Sequence, residues 1–477
     1  MGKKVKTMVF LTVCGVVPVM GKKSFDNKPN IIFILTDDHR SDALGYAGNS
    51  IIHTPEMDYL ASQGTYFKNA FVTTPISAAS RASILTGMYE RTHCYTFEQG
   101  NLREPFIQLL YPKILRENGY YTGFLGKLGV EIPGFNNFFD QVEVYDKNDA
   151  HKDRRGYFYK TILNDTVHLT RYTGYKAQEF IKSAPADKPF CLSLSFSAPH
   201  AHDSAPEQYF WQKKSEKNYE NTQFQLPVLS EDDYFFRLPK EVRNGFNRVR
   251  WHWRYDTAEK YQRSMKGYYR MITEIDDELG KLRKLLEERN LDRNTIIIIM
   301  GDNGLFTGER QLAGKWLMYD VSLRVPLIIY DPTAKQHRDI EDMALNIDIP
   351  YTILAFARIT APESYQGINL QDFVKKGKSR HKRNFILFEH LWDFPQIPSS
   401  EAIRTNRWKY IRFRYIKAPE ELYDLKTDPD ERNNLAGRPE YVQVILKLRR
   451  EMNEKINKYA SGSPVISTNK KSLYYEK

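Results

Sequence analysis

The chain has 477 residues, 41% of them hydrophobic and 27% charged, which is ordinary for a globular protein and enough for one large domain with a smaller one beside it. Three cysteines are too few for a disulfide framework. The formal net charge of +11 favours a polyanionic partner.

The N-terminus reads as a signal peptide over residues 1–21. Lys3, Lys4 and Lys6 form a basic start, and Met8 to Val19 is an apolar run too short to span a bilayer. Val19 and Gly21 suit a cleavage site after Gly21. Cys14 follows Leu11 at lipobox spacing, but Val13 is a poor residue before a lipidated cysteine, so anchoring through Cys14 is the less favoured reading. The mature chain is expected in the periplasm or secreted, with no stable membrane insertion. It stays basic without the leader, and export favours a sulfated glycan over nucleic acid as the partner. Cys94 and Cys191 remain, as one bridge or as two free thiols.

Asn30 to Leu35 is a near-continuous apolar run ending in Thr36-Asp37-Asp38, the pattern of a strand buried on both faces. Pro189 to Ser195 is a second such run, closing near His200. Ala258 to Arg289 reads as a helix, with Met271, Ile275, Leu279, Leu282 and Leu286 at three- and four-residue spacing. Thr295 to Met300 is the clearest strand and runs into Gly301-Asp302-Asn303-Gly304; Val325 to Tyr330 is a fourth. This alternation predicts an α/β fold with a large, mixed, mostly parallel sheet flanked by helices. Residues 206–254 are aromatic and charged with no clean period, and read as an insertion over one face. The lysine- and arginine-rich stretch from Phe373 to Asn384 reads as a solvated linker. Beyond it, Ile403 to Tyr415 and Glu421 to Leu425 read as antiparallel strands, Val442 to Tyr459 as a terminal helix, and the polar tail from Ser461 as disordered. The expected division is a catalytic domain over residues 22–375 and a smaller α+β subdomain with an antiparallel sheet over residues 376–477.

Active groups of open α/β sheets collect at the carboxyl ends of the strands. Asp37 and Asp38 follow one strand, Asp302 and Asn303 another, and all four offer hard oxygen donors suited to Ca²⁺ or Mg²⁺. Taken singly, Asp-Asp is as readily a turn or a helix cap, and Asp-Asn-Gly a hairpin turn. Residues 75–87 read Pro-Ile-Ser-Ala-Ala-Ser-Arg-Ala-Ser-Ile-Leu-Thr-Gly. They place Ser77 four residues before Arg81 at a helix start, where free N–H groups and the dipole favour anions.

Ser77 to Arg81 with Leu85-Thr86-Gly87 resembles the signature of the type I, formylglycine-dependent sulfatases of the alkaline phosphatase superfamily. The likeness continues in the family's order. Asn30 to His39 is similar to the opening strand and metal loop, Gly126-Lys127 to a Gly-Lys-Trp-His segment, and Ala198-Pro199-His200 to an Ala-Pro-His. Gly301 to Lys315 resembles the Asp-Asn-Gly stretch, with Lys315 thirteen residues beyond Asp302, and Tyr319 to Pro326 the segment after it. Glu421 to Leu425, Asp428-Pro429 and Asn434-Leu435 resemble the C-terminal subdomain.

The resemblance implies an alkaline phosphatase-like fold and an exported bacterial carbohydrate sulfatase that releases sulfate from a sulfated saccharide. Ser77 would be the modified residue, oxidised to formylglycine (3-oxoalanine). Its being serine rather than cysteine implies a serine-type radical maturase as biosynthetic partner and an anaerobic bacterial producer. Asp37, Asp38, Asp302, Asn303 and residue 77 would hold Ca²⁺, with Mg²⁺ as the alternative. Arg81 would orient the hydrated aldehyde, Lys127 and Lys315 would bind sulfate oxygens, and His200 would act either near the leaving alkoxide, where a general acid contributes roughly 10²–10⁴-fold, or in hemiacetal breakdown. Without that context the lysines read as surface residues and His200 and His202 as loop histidines. One departure stands out: the family often has a histidine two residues after the lysine, and here that position is Gly129.

Sugar-binding candidates are His202, Glu389, His390, Trp392, Glu401 and Arg404, although a folded aromatic-charged loop explains the segment around Glu389 to Arg404 equally well; Tyr89, Arg91 and His93 are weaker ones. Two other functions use the same fold: a phosphoester hydrolase of the superfamily, against which the Ser77 signature counts, and a non-catalytic sulfated-glycan-binding protein, against which the metal set and Lys315 count.

Overall fold

The computed structural model describes residue 2 and residues 28–460, apart from 98, 99, 149, 151–155, 204 and 393. The rest of the leader and the tail from 461 lie outside the described residues. An eight-stranded sheet forms the centre. Its strands are β1 (Asn30–Thr36), β2 (Thr65–Phe67), β3 (Tyr121–Gly126), β4 (Gln141–Val144), β5 (Phe190–Ser195), β6 (Thr295–Gly301), β7 (Leu327–Tyr330) and β8 (Arg338–Ile340). They lie in the order β8-β2-β7-β6-β1-β5-β3-β4. The run from β6 to β4 is parallel throughout, and β7 is antiparallel to both its neighbours.

Every residue of β1 and β6 is buried, because helices cover both faces of the sheet. Side chains alternate between two cores, as the two-residue period of a strand requires. Ile32 and Ile34 pack with α1 (Pro55–Gln63), α3 (Leu169–Ser183) and α5 (Ala258–Glu288) through Met57, Leu60, Phe180, Ile275 and Leu279. Ile31, Phe33 and Leu35 pack on the opposite face with α2 (Ser77–Thr86) and α6 (Asp348–Phe356) through Ile84, Leu85, Ile353 and Leu354. Thr257 caps α5, its hydroxyl accepting the Lys260 N–H at 3.2 Å.

A second, antiparallel sheet carries β9 (Ile386–His390), β10 (Ser400–Arg404), β11 (Trp408–Phe413) and β12 (Glu421–Asp424) in chain order. The C-terminal helix α7 (Val442–Tyr459) buries Ile445, Leu448 and Met452 against it. One apolar cluster joins Leu387, Ile403 and Tyr410 of this sheet to Phe71, Leu323 and Leu345, so the second sheet is packed against short elements outside both sheets.

Three expectations are corrected. The run Ile403–Tyr415 is two strands, β10 and β11, turned at residues 405–407, and β9 before them is a strand as well. The stretch from Phe373 begins inside a helix, Gln371–Lys376, with Phe373 and Val374 buried. Residues 206–254 end in α4 (Phe246–Arg254). Its apolar period is hidden because two of its inward residues, Arg250 and Arg254, are cations. Cys94 and Cys191 are buried free thiols. No described helix is long and apolar enough to cross a membrane.

Candidate active site

The carboxyl edge of four adjacent strands delivers the site. β1 leads into Asp37 and Asp38, β6 into Asp302 and Asn303, β5 towards His200, and β3 directly into Lys127. Two crossed backbone bonds hold the strand ends: Asp302 N donates to Thr36 O at 2.9 Å and Asp37 N to Ala198 O at 3.1 Å. Asp38 takes a left-handed φ of +62°, which aspartate tolerates better than most residues. Its amide donates to Asp302 Oδ1 at 3.0 Å, and its carbonyl accepts from the Tyr268 hydroxyl at 2.7 Å. Gly126 has φ +107°, and a Cβ there would lie 1.9 Å from Ser195 O. Only glycine lets β3 approach β5 so closely and turn Lys127 inward.

Ser77 is the first residue of α2, following extended Ile76, and the whole helix is buried. Its Oγ donates within reach of Asp37 Oδ1 (3.0 Å) and Asn303 Oδ1 (3.1 Å), and it accepts from Lys315 Nζ at 2.7 Å. Lys315 Nζ also lies 2.5 Å from Asp38 Oδ1, and Lys127 Nζ lies 2.5 Å from Asp37 Oδ2. Arg81, one turn along α2, donates through Nε to Asp302 Oδ2 (2.8 Å) and through Nη1 to Lys127 O and Ser195 Oγ. Arg81 Nη2 has no hydrogen-bond partner among the described residues and lies 3.9 Å from Asp37 Oδ2. His200 Nε2 is 3.6 Å from Asp38 Oδ2, its Nδ1 lies 2.5 Å from Ala201 O, and its own carbonyl is held by the Tyr157 hydroxyl at 2.5 Å.

Burial works against every charge here, and the balance of partners decides each outcome. Burial would raise Asp37, but Lys127, His200, Lys315 and Arg81 together hold its carboxyl well below the usual range. Asp38 is lowered in the same way, chiefly by Lys315. Asp302 goes the other way: burial and then Asp37 push it up to about 6, against Arg81. Burial lowers His200 to about 4 despite Asp38 and Asp37. Lys127 is raised because Asp146 and Asp37 outweigh its burial.

The donor set fits a hard divalent cation. Asp37, Asp38 and His200 bring one potential ligand atom each within 4.8 Å of one another. That grouping contains His200 rather than Asp302, whose two oxygens are engaged by Asp38 N and Arg81 Nε. Oxygen ligands suit Ca²⁺ or Mg²⁺ better than imidazole does, and each Asp302 oxygen keeps a second lone pair, so the all-oxygen set fits better. Formally, four carboxylates (Asp37, Asp38, Asp302, Asp146) meet three cations (Arg81, Lys127, Lys315). A divalent cation would turn that deficit into a net positive charge, which suits an anionic substrate.

The fold thus brings Asp37, Asp38, Ser77, Arg81, Lys127, His200, Asp302, Asn303 and Lys315 together. The sugar-binding candidates fare differently. Glu389 is fully buried and accepts from Arg91 N (2.8 Å) and Nε (3.0 Å); Glu401 binds Arg91 and Arg412. Arg404 pairs with Asp320 at 3.2 Å and lies over the Phe71 ring. His390 is fully buried on β9, and His202 is fully buried edge-on to Phe210. Glu389, Glu401 and Arg404 are committed inside the fold, because charges left in an apolar interior are held there by partners. Trp392 lies nearest the site, in an apolar cluster with Ile76 and Trp316 and stacked on Phe394. Tyr89 stacks on Tyr459, and His93 bonds Ser83 Oγ and Tyr95 N. Sequence reading missed Asp146 beside Lys127 (3.2 Å), Ser195 on Arg81, and Asp203, which pairs with Arg250 and Arg254. The i, i+4 spacing of Arg250 and Arg254 was the available signal.

At Gly129, φ is +67° and a Cβ would lie 3.0 Å from Arg81 Cδ. The space beside Gly129 is therefore taken by the stem of Arg81.

This arrangement of carboxylates and cations around a helix start suits hydrolysis of an anionic ester, and comparison with known proteins gives the class. The sulfatase family model matches residues 29–359, so the chain belongs to the sulfatase family and is a sulfuric ester hydrolase. A second model, the C-terminal region of N-sulphoglucosamine sulphohydrolase, matches residues 308–458. Among curated relatives, an N-acetylglucosamine-6-O-sulfatase of Bacteroides thetaiotaomicron is 27% identical over 93% of this chain and 89% of its own. An arylsulfatase of Clostridium perfringens is 28% identical over 92% of this chain and 97% of its own. A solved structure of a protein in complex with its substrate D-glucosamine-2-N,6-O-disulfate superposes with a TM-score of 0.78 at 26% identity, covering 92% of this chain and 99% of that one.

Proposed function

We propose that the protein is an exported sulfatase that removes sulfate from a sulfated saccharide, with residue 77 acting as formylglycine. The observation that carries this is the position of Ser77 Oγ at a helix start, within 3.1 Å of Asp37 and Asn303 and 2.7 Å from Lys315. Oxidised by a serine-type radical maturase, residue 77 would supply a hydrated aldehyde as the nucleophile. A Ca²⁺ or Mg²⁺ ion held by Asp37, Asp38, Asp302, Asn303 and residue 77 would supply Lewis acidity.

The chain's own residues do the rest. Lys315 stabilises the residue-77 oxygen as an oxyanion through its 2.7 Å contact. Arg81 Nη2, free of internal partners, and Lys127 offer donors to sulfate oxygens, where charge develops in the transition state. Burial leaves His200 neutral near pH 7 and the Ala201 carbonyl holds its Nδ1, so its Nε2 would take the proton of the residue-77 hydroxyl as the sulfated diol eliminates sulfate and the aldehyde re-forms. An unmodified serine would form a stable sulfate ester whose hydrolysis is a second slow step, which is the chemical reason for the modification.

The deciding experiment is mass spectrometry of the peptide containing residue 77, from protein produced with a serine-type maturase, alongside sulfate release from sulfated mono- and disaccharides. Loss of two hydrogens at Ser77 together with sulfate release is expected. Turnover by protein whose Ser77 is unmodified would overturn the reading, as would modified protein inert on every sulfated sugar.

A further inference from the structure

Beside Lys315 lies a group of hydrogen-bond donors that nothing in the chemistry above uses. Arg250 of α4 is 5% exposed. Its Nη2 pairs with Asp203, but its Nε and Nη1 have no partner among the described residues. The guanidinium lies 4.5 Å from the centre of the Trp316 ring and 4.9 Å from that of Phe246. Trp316 Nε1 is also buried without a partner. Three donors therefore sit side by side, unmatched by any acceptor. Native proteins leave few such groups unpaired, and those that remain often await a ligand or a water.

The group packs against the segment that carries Lys315. A Cβ on Gly314 would lie 3.0 Å from Arg250 Nη1, and the next residue is Lys315. Asn247, one turn before Arg250, donates to the carbonyls of Ala313 and Lys315, both at 2.9 Å, so α4 and the lysine segment move as one piece. Trp316 N donates to Pro75 O at 3.0 Å, two residues before Ser77. Trp316 itself has φ +81°, an unfavourable conformation for a bulky residue, and such outliers gather at functional sites. On the other side Asp203, the partner of Arg250, lies close enough to His200 to be lowered by its charge. Arg250 thus lies between the segment that carries Lys315 and Asp203, which neighbours His200.

We propose that Arg250 and Trp316 bind a second anionic group of the substrate, a carboxylate or a further sulfate on the same sugar or its neighbour. Oxygen-rich anions accept from several donors at once, and a guanidinium packed against two aromatic rings is held in place before they arrive. A sugar lacking that group leaves buried donors unpaired, which is how such sites discriminate. The inference rests on the saccharide reading above.

The test compares a sulfated hexose, the matching sulfated hexuronate and the matching disulfated hexose as substrates of the matured enzyme. At least one dianionic sugar is expected to exceed the sulfated hexose in kcat/KM by roughly 10-fold to 100-fold. Arg250→Met is expected to bring that ratio to within about threefold of unity, with Arg250→Lys in between. Equal or better turnover of the plain sulfated hexose by the wild type overturns the inference, as does a ratio that survives in Arg250→Met. If Arg250→Met fails a melting test for folding, the wild-type ratio and Arg250→Lys decide. Sulfate release from none of the three sugars would overturn the saccharide reading along with this one; release from the sulfated hexose alone would overturn only this one.

Discussion

Arg81 Nε donates to Asp302 Oδ2 at 2.8 Å, with both side chains buried. The contact ties the helix that presents Ser77 to the strand end that carries two of the proposed metal ligands. It also removes Arg81 from solvent while leaving Nη2 unpaired. A structural ion pair and a substrate donor are combined in one guanidinium, which its fork of donors allows and a lysine could not provide.

Ser77→Ala removes the oxygen held by Asp37, Asn303 and Lys315. Sulfate release should fall to background while the melting curve by circular dichroism stays close to wild type, because alanine suits a buried helix start that caps nothing. Residual turnover near the wild-type rate would remove residue 77 from the mechanism.

Asp37→Asn takes a charge from the group that faces Lys127, Lys315 and Arg81. Calorimetric titration with Ca²⁺ and Mg²⁺ should show at least about a tenfold weaker site, and kcat should fall about 10²-fold or more. Chelation of the wild type should give the same loss, restored by adding the ion back; full activity after chelation would exclude a metal role.

Gly129→Ala places a Cβ at φ +67° and 3.0 Å from Arg81 Cδ. The backbone alone should lower stability by about 1–2 kcal/mol, and displacement of Arg81 should lower kcat/KM as well. Gly129→His is expected to lose activity for the same reason. Gain of activity in that variant would show that Arg81 yields at no cost.

Glu90 lies buried between Thr74, the Leu391 amide and Glu389. Burial and then Glu389 raise its carboxyl from the ordinary 4.5 to about 8. Below 4.5 both folded and unfolded chains hold the proton. Between 4.5 and 8 only the folded chain does, so this group withdraws stability as pH rises through that window, on the order of a few kcal/mol in total. Glu90→Gln should flatten the fall in melting temperature between pH 5 and pH 8 relative to wild type. Parallel curves for the two proteins would place the Glu90 carboxyl near its ordinary value.

Arg404→Met breaks the pair with Asp320 and the contact over Phe71. Breaking one partner of a buried pair destabilises by about 3–5 kcal/mol, so chemical denaturation should show a large shift while KM for a sulfated sugar holds. A raised KM at unchanged stability would return Arg404 to the substrate.

The local sequence by itself determined the strands whose ends matter and the residues that follow them. Apolar runs at 30–35 and 295–300 must be buried on both faces, and the residues just beyond, Asp37-Asp38 and Asp302-Asn303, then stand at the sheet's carboxyl edge. Ser77, Arg81, Lys127, His200 and Lys315 were legible through the resemblance of their segments to a known family; without it the lysines read as surface residues and His200 as a loop histidine. Only the tertiary structure decided which charges face the cleft and which serve the core. Arg91, Glu389, Glu401 and Arg404 look like binding residues in sequence, yet buried partners up to 310 residues away claim them. Arg250 and Trp316 look like unpatterned insertion and motif filler, yet α4 packs them against Lys315 with donors to spare. The reason is physical: apolar periodicity reports which face of an element is buried, whereas the pairing of buried charges depends on contacts between elements that no local period records.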